Sequence, residues 1–178
     1  MFYQGREIYG KPMTLVFNKE KLLYDISNYA FVEGELVGED NEKAHHLVTD
    51  IAQKGNIDRL TSVLSLAYSE CIEMLYPFAS RKIAEGADVV TNTDNDLSDE
   101  EEYVIMLSLP QGFAMNTVEY VSKLLHEYMV CRVLQDWLDI TFPNSAAKWA
   151  IKMEDIKTKL RAALLARRRV IRRKYSPF

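Results

Sequence analysis

Glycine and proline are scarce in this chain, seven and five among 178 residues. So few turn formers argue against a turn-rich β fold and for long regular elements, mostly helices. Cysteine is nearly absent. Cys71 and Cys131 each sit within an apolar helical pattern, so they are expected as buried reduced thiols in a chain that folds in a cytoplasm, rather than as a disulfide. No apolar run approaches the roughly 18 residues that cross a bilayer, so no membrane partner is expected. The opening MFYQGREIYGKPM has no apolar core and is not expected to be a signal peptide. Catalytic signatures are also missing. There is no glycine-rich phosphate loop, no G-x-S-x-G, and no cysteine with an evident base. Neither an enzyme nor a cofactor is expected.

What is present is charge, unevenly placed. Lys152 to Phe178 holds ten Lys or Arg against Glu154 and Asp155, a net of 10 − 2 = +8. The whole chain is −4, so Met1 to Ile151 carries −4 − 8 = −12. An acidic body with a basic end puts one surface against something negative. Seven acids also fall between Asp88 and Glu102, with no Lys or Arg among them.

Periodicity gives the elements of a single domain, residues 1–178. Residues 1–18 read as an N-terminal arm, in which Met13 to Phe17 is a short strand or an extended stretch. Asn18 is a cap for a first helix carrying Leu22, Leu23, Ile26 and Ala30, which ends between Gly34 and Gly38. A second helix starts near Glu39 to Glu42, carries Ala44, Leu47, Val48 and Ile51, and stops before Gly55. A third runs from Ile57 to Tyr76 with a wide apolar face. Residues 78–112 read as an acidic loop and a hairpin, whose strand Glu102 to Leu109 is expected to pair with Ile83 to Thr91. A fourth helix, capped by Asn116, runs to Thr141 and is apolar on more than one side, so it should be central. A fifth starts at Pro143. If continuous to Lys174 it is about 45 Å long at 1.5 Å per residue, so its basic end, 157–178, should project. The fold class expected is mainly α: a bundle of about five helices, long at the C-terminal end, with a small β-hairpin.

Four constellations bear on chemistry. Asn92, Asp94 and Asp96 resemble the opening of a calcium loop. However, Leu97 stands where glycine is needed and Tyr103 where the closing Glu belongs, which leaves a solvated acidic loop. His45 and His46 are adjacent, so on a helix they point about 100° apart, and His126 lacks a second His. No metal site is expected. Tyr and Phe sit at helical spacing and read as core. The basic end has three readings: a solvated helix end, a contact to DNA phosphates without base readout, or a protein-docking arm.

Several stretches resemble a family of proteins from Bacteroidales phages and prophages. They are LYDI (Leu23 to Ile26), GNIDR (Gly55 to Arg59), SEC (Ser69 to Cys71), LYP (Leu75 to Pro77), LHEYMVCRVLQDW (Leu125 to Trp137), and the basic helix ending in Pro177 and Phe178. The resemblance implies no catalytic residues. It implies a virion structural protein made in the host cytoplasm and placed in the neck, as a head-to-tail connector subunit that forms a ring between portal and tail. On that reading Arg161, Arg167, Arg168, Arg169, Arg172, Arg173, Lys174 and Phe178 would meet the portal, a tail or neck protein, or packaged DNA. Asp94, Asp96, Asp99, Glu100 and Glu101 would meet a neighbouring subunit. The alternative is a cytoplasmic DNA-binding or regulatory module that uses the basic helix.

Overall fold

A computed structural model describes residues 11–37, 42–76, 78, 101–109 and 113–165. In chain order the elements are β1 (Lys11–Asn18), α1 (Lys19–Leu36), α2 (Glu42–Thr49) with a 3-10 turn (Asp50–Ala52), α3 (Ile57–Met74), β2 (Glu102–Leu109), α4 (Met115–Thr141) and α5 (Pro143–Leu165). The protein is mainly α, five helices with a small two-stranded antiparallel sheet.

The core is built around α4. Thirteen of its residues are buried, from Thr117 to Leu138, and they fall on every side of the helix. A helix that is apolar all round must be covered all round. α1, α3 and α5 each lie against it, and α2 closes one end. Leu22, Ile26 and Ala30 face inward from α1, Leu60, Leu64, Ala67 and Cys71 from α3, and Trp149, Met153, Ile156 and Leu160 from α5. Each fully buried Leu or Ile contributes roughly 1.5–3 kcal/mol.

The helix ends follow local chemistry. Asn18 caps α1 by accepting from the Lys21 amide at 3.0 Å. Pro143 opens α5 directly after Phe142, a position where its missing N–H costs nothing. α4 departs from expectation. It begins at Met115, with Ala114 in the cap position and no side-chain cap, so Asn116 lies inside the first turn. The Ala114 carbonyl accepts from Thr117 at 3.0 Å, and Thr117 is buried. Burial of this turn, rather than an asparagine cap, sets where the helix starts.

The sheet is the larger addition. β2 pairs with β1; the partner expected for it, Ile83 to Thr91, lies outside the described residues. The register runs from Lys11 opposite Leu109 to Asn18 opposite Glu102. Leu15 and Phe17 on one strand and Tyr103, Ile105, Leu107 and Leu109 on the other all face the helices. The alternation in β1 matches that in β2, so pairing them buries both apolar sets at once. Of the two readings of Met13 to Phe17, the strand holds, and it extends over Lys11–Asn18. The basic helix also stays seated further than expected: Leu160 and Leu164 are buried, so α5 is packed through the stretch 157–165. Residues 166–178 lie outside the described residues.

Gly34 marks the closest approach of α1 and α2. A Cβ placed there would stand 2.6 Å from Thr49 Cγ2. Gly34→Ala gains up to about 1 kcal/mol of helix propensity, but overpacking of this kind costs about 1–3 kcal/mol. The expected net loss is about 1 kcal/mol, a fall of roughly 2–4 °C in melting temperature. Adding Thr49→Ser removes the obstructing methyl and keeps the hydroxyl, so the double variant should regain the loss. Thermal denaturation of the two variants checks this.

Candidate functional site

α3 and α5 both pack on α4, but they diverge from each other. The gap between them is an open groove of about 740 Å³. α4 forms its floor with Tyr128, Arg132 and Gln135. Leu66, Glu70, Glu73 and Met74 line the α3 wall, and Met153, Glu154, Lys157 and Arg161 line the α5 wall. The α3 wall is thus acidic, while the α5 wall carries two cations beside one acid.

The floor and walls are tied by short polar contacts. The Tyr128 hydroxyl donates to the Glu70 carboxylate. The Arg132 Nε stands 3.6 Å from the other Glu70 oxygen. On the α5 wall the Lys157 ammonium donates to Glu154 at 2.7 Å and lies 5.7 Å from the centre of the Tyr128 ring. The hydrogen bond and charge of Lys157, with a smaller contribution from Arg161, hold the Glu154 carboxyl below its ordinary range. Burial raises the Tyr128 phenol far above its ordinary value, and the hydrogen bond and charge of Glu70 push it further. Tyr128 is therefore a neutral donor across the working pH range, and not a base or nucleophile. Glu70, Arg132, Glu154 and Lys157 are committed to one another, so the groove offers shape and a polar rim.

A second polar cluster joins α1, α4 and α5 on another side of α4. Glu33 is 5 % exposed. Its carboxylate accepts from the Lys148 ammonium at 2.5 Å and from the Ser145 hydroxyl at 2.8 Å. Lys152 pairs with Glu127, and its ammonium lies 4.9 Å from both the Tyr29 and Trp149 ring centres. Tyr29 donates to the same Glu127 at 3.3 Å. His126 Nε2 stands 2.8 Å from Asp25. Partial burial tends to raise the Asp25 carboxyl, but the hydrogen bonds of Lys21 and His126 outweigh it and set the value below the ordinary range. These contacts fasten helices together and leave few polar atoms for a ligand.

The residues expected to carry function divide unevenly. Arg161 stands on the groove wall. Glu101 precedes β2, and its carbonyl accepts from the Lys19 amide at 2.9 Å, so this residue helps close the sheet onto α1. Arg167, Arg168, Arg169, Arg172, Arg173, Lys174, Phe178, Asp94, Asp96, Asp99 and Glu100 lie outside the described residues. The calcium-like stretch from Asn92 does too, apart from its last residues, Glu101 to Tyr103. Of the histidines, His45 Nδ1 lies 2.8 Å from the Gly34 carbonyl at the α1–α2 contact. Among the described residues no three His, Cys, Asp or Glu side chains are grouped as a metal ion would need. No described helix is long and apolar enough to cross a membrane.

The groove was missed by the sequence reading because Glu70 and Tyr128 are 58 residues apart. The signal was present on α4 alone. Tyr128 and Arg132 are i, i+4, so they share one face of the helix. No family model, no curated protein and no solved structure matches the chain.

Cys71 and Cys131 are both free and fully buried. Burial raises both thiols, Cys131 to about 12 and Cys71 further. Neither forms thiolate near neutral pH, so a thiol-reactive dye should label neither in the native protein and both in denaturant. Labelling of Cys131 faster than global unfolding would show that α5 lifts from α4.

Proposed function

We propose that this chain is a non-catalytic structural subunit, a head-to-tail connector of the kind its sequence resembles, acting as a rigid spacer in a ring between portal and tail. The observation that carries the reading is the division of charge: −12 over Met1 to Ile151 against +8 over Lys152 to Phe178. Two features of the fold support it. α5 is seated on α4 through Leu164, so the basic stretch that follows in sequence leaves from a fixed base. Glu101, near the end of the acidic stretch, is anchored to α1 through Lys19. A subunit that carries opposite charges on two different surfaces can dock head to tail, and such contacts close into rings when the rotation allows.

The test is the association state. In low salt the protein should form a closed ring, visible by native mass measurement and electron microscopy, and the ring should weaken steeply as salt rises. Replacing Arg167, Arg168, Arg169, Arg172 and Arg173 with Gln should leave the melting temperature within about 2 °C, because on this reading they are charges outside the packed core, which contribute at most tenths of a kcal/mol each. It should abolish most of the ring and most of the salt dependence. A chain that stays monomeric at every salt concentration and binds duplex DNA, with binding lost in the Gln variant, would instead favour the DNA-binding module.

A further inference from the structure

The two edges of the small sheet are not equivalent. On β2, the Ser108 amide donates to the Phe78 carbonyl at 2.8 Å, and the Val104 carbonyl accepts from the Tyr68 hydroxyl at 2.7 Å. An amide bonded to Phe78 is not available to β1. In an antiparallel ladder the paired residues alternate. The bonds between the strands therefore belong to Tyr103, Ile105, Leu107 and Leu109, and by register to Phe17, Leu15, Met13 and Lys11. It follows that Pro12, Thr14 and Val16 turn their backbone groups to the far side of β1. Among the described residues, nothing pairs with Thr14 or Val16 there. So among the described residues β2's outer edge is bonded at Ser108 and Val104, and β1's is open.

The open edge is also apolar. Pro12 to Asn18 contains no charge. On the solvent face Val16 is 50 % exposed and Met106 63 %, with Val104 beside them. Edges of this kind are normally guarded by charge, a bulge or a covering element.

We propose that this edge pairs with β1 of a second copy, antiparallel and about a two-fold axis, joining two sheets into one. The edge is complementary to itself in a single register. With Thr14 opposite Val16 of the second copy, both residues exchange N–H···O bonds in both directions. Pro12 then stands opposite Asn18 of the second copy. Its carbonyl accepts from the Asn18 amide. It has no N–H to give, and the Asn18 carbonyl needs none, because a cap residue's carbonyl is the first acceptor of its helix. Sliding the register so that Thr14 meets Thr14 puts Pro12 opposite Val16, whose carbonyl then loses its donor. Sliding it the other way aims the Thr14 amide at the occupied Asn18 carbonyl. In the favoured register Met106, Thr14, Val16 and Val104 align across the sheet, β-branched beside apolar, and Leu15 meets Leu15 at the axis. Lys11 opposite Lys19 at the tips is its one unfavourable contact.

This pairing stands apart from the connector reading. It closes at two copies, whereas a ring needs a head-to-tail contact. The experiment is sedimentation of the full chain from about 1 to 100 µM, with amide hydrogen exchange at both ends of that range. A dimer is expected, with Thr14 and Val16 amides protected more than tenfold at the high end only. Val16→Pro removes a donor that faces only the open edge, as Pro12 already does natively. It should keep the melting temperature within a few degrees and weaken dimerisation at least tenfold. If that variant fails to fold, Val16→Lys on the wild-type backbone, which charges the edge without altering any amide, should weaken dimerisation similarly. A monomer across the range, or a dimer or ring in which Thr14 and Val16 exchange as freely as in the monomer, overturns the proposal. The second of these outcomes leaves the connector reading intact.

Discussion

Everything in this fold depends on hiding α4. A 27-residue helix with thirteen buried residues on all sides keeps a solvent face mainly along its first turns. Such a helix is unstable until neighbours surround it, since isolated helical propensity contributes little beside burial. The remaining elements can be understood as its cover. α3 and α5 take two sides, α1 a third, and the Val48 and Ile51 end of α2 closes against Trp137, whose indole N–H donates to the Val48 carbonyl at 3.3 Å. The sheet adds its apolar face to the same core.

Covering one helix with three others creates a second constraint, because the covering helices must keep their angular places. Apolar contact is non-directional and cannot fix those angles alone. The polar ties do. Arg59 meets Asp136 at 2.8 Å between α3 and α4, and His126 meets Asp25 between α4 and α1. Glu33 is the costliest of these, a buried carboxylate that is tolerable only with Lys148 and Ser145 both in place. Because it ties α1 to the first turns of α5, it also fixes the sharp reversal at Phe142. Gly34, the next residue, lets α2 approach close enough to finish the cover.

The helices were legible because each carries its own periodicity within twenty or so residues. Leu22, Ile26 and Ala30 announce α1, and Leu60, Leu64, Ala67 and Cys71 announce α3, without reference to the rest of the chain. The pairing of β1 with β2 was not legible for the opposite reason. Nothing local in Met13 to Phe17 marks it as a mate of Glu102 to Leu109, far along the chain. α1, which begins at Lys19 directly after β1, brings that strand to the core. Arg161 and Glu101 were singled out by charge alone, and their charge says nothing of the groove or the sheet closure in which the fold places them. The groove needed the third dimension, since its floor and acidic wall come from helices far apart in sequence.

The pairing inside the groove constrains what it can hold. An anion drawn to Lys157 and Arg161 would meet Glu154 on the same wall and Glu70 and Glu73 across the gap. Lys157 is already bonded to Glu154, and the nearest charge to Arg132 is Glu70. A phosphate would have to displace these acids and leave them unpaired in a partly dry site, at a cost comparable to the gain. A cation meets the same objection with the signs reversed. The groove is therefore poorly suited to a small ion of either sign.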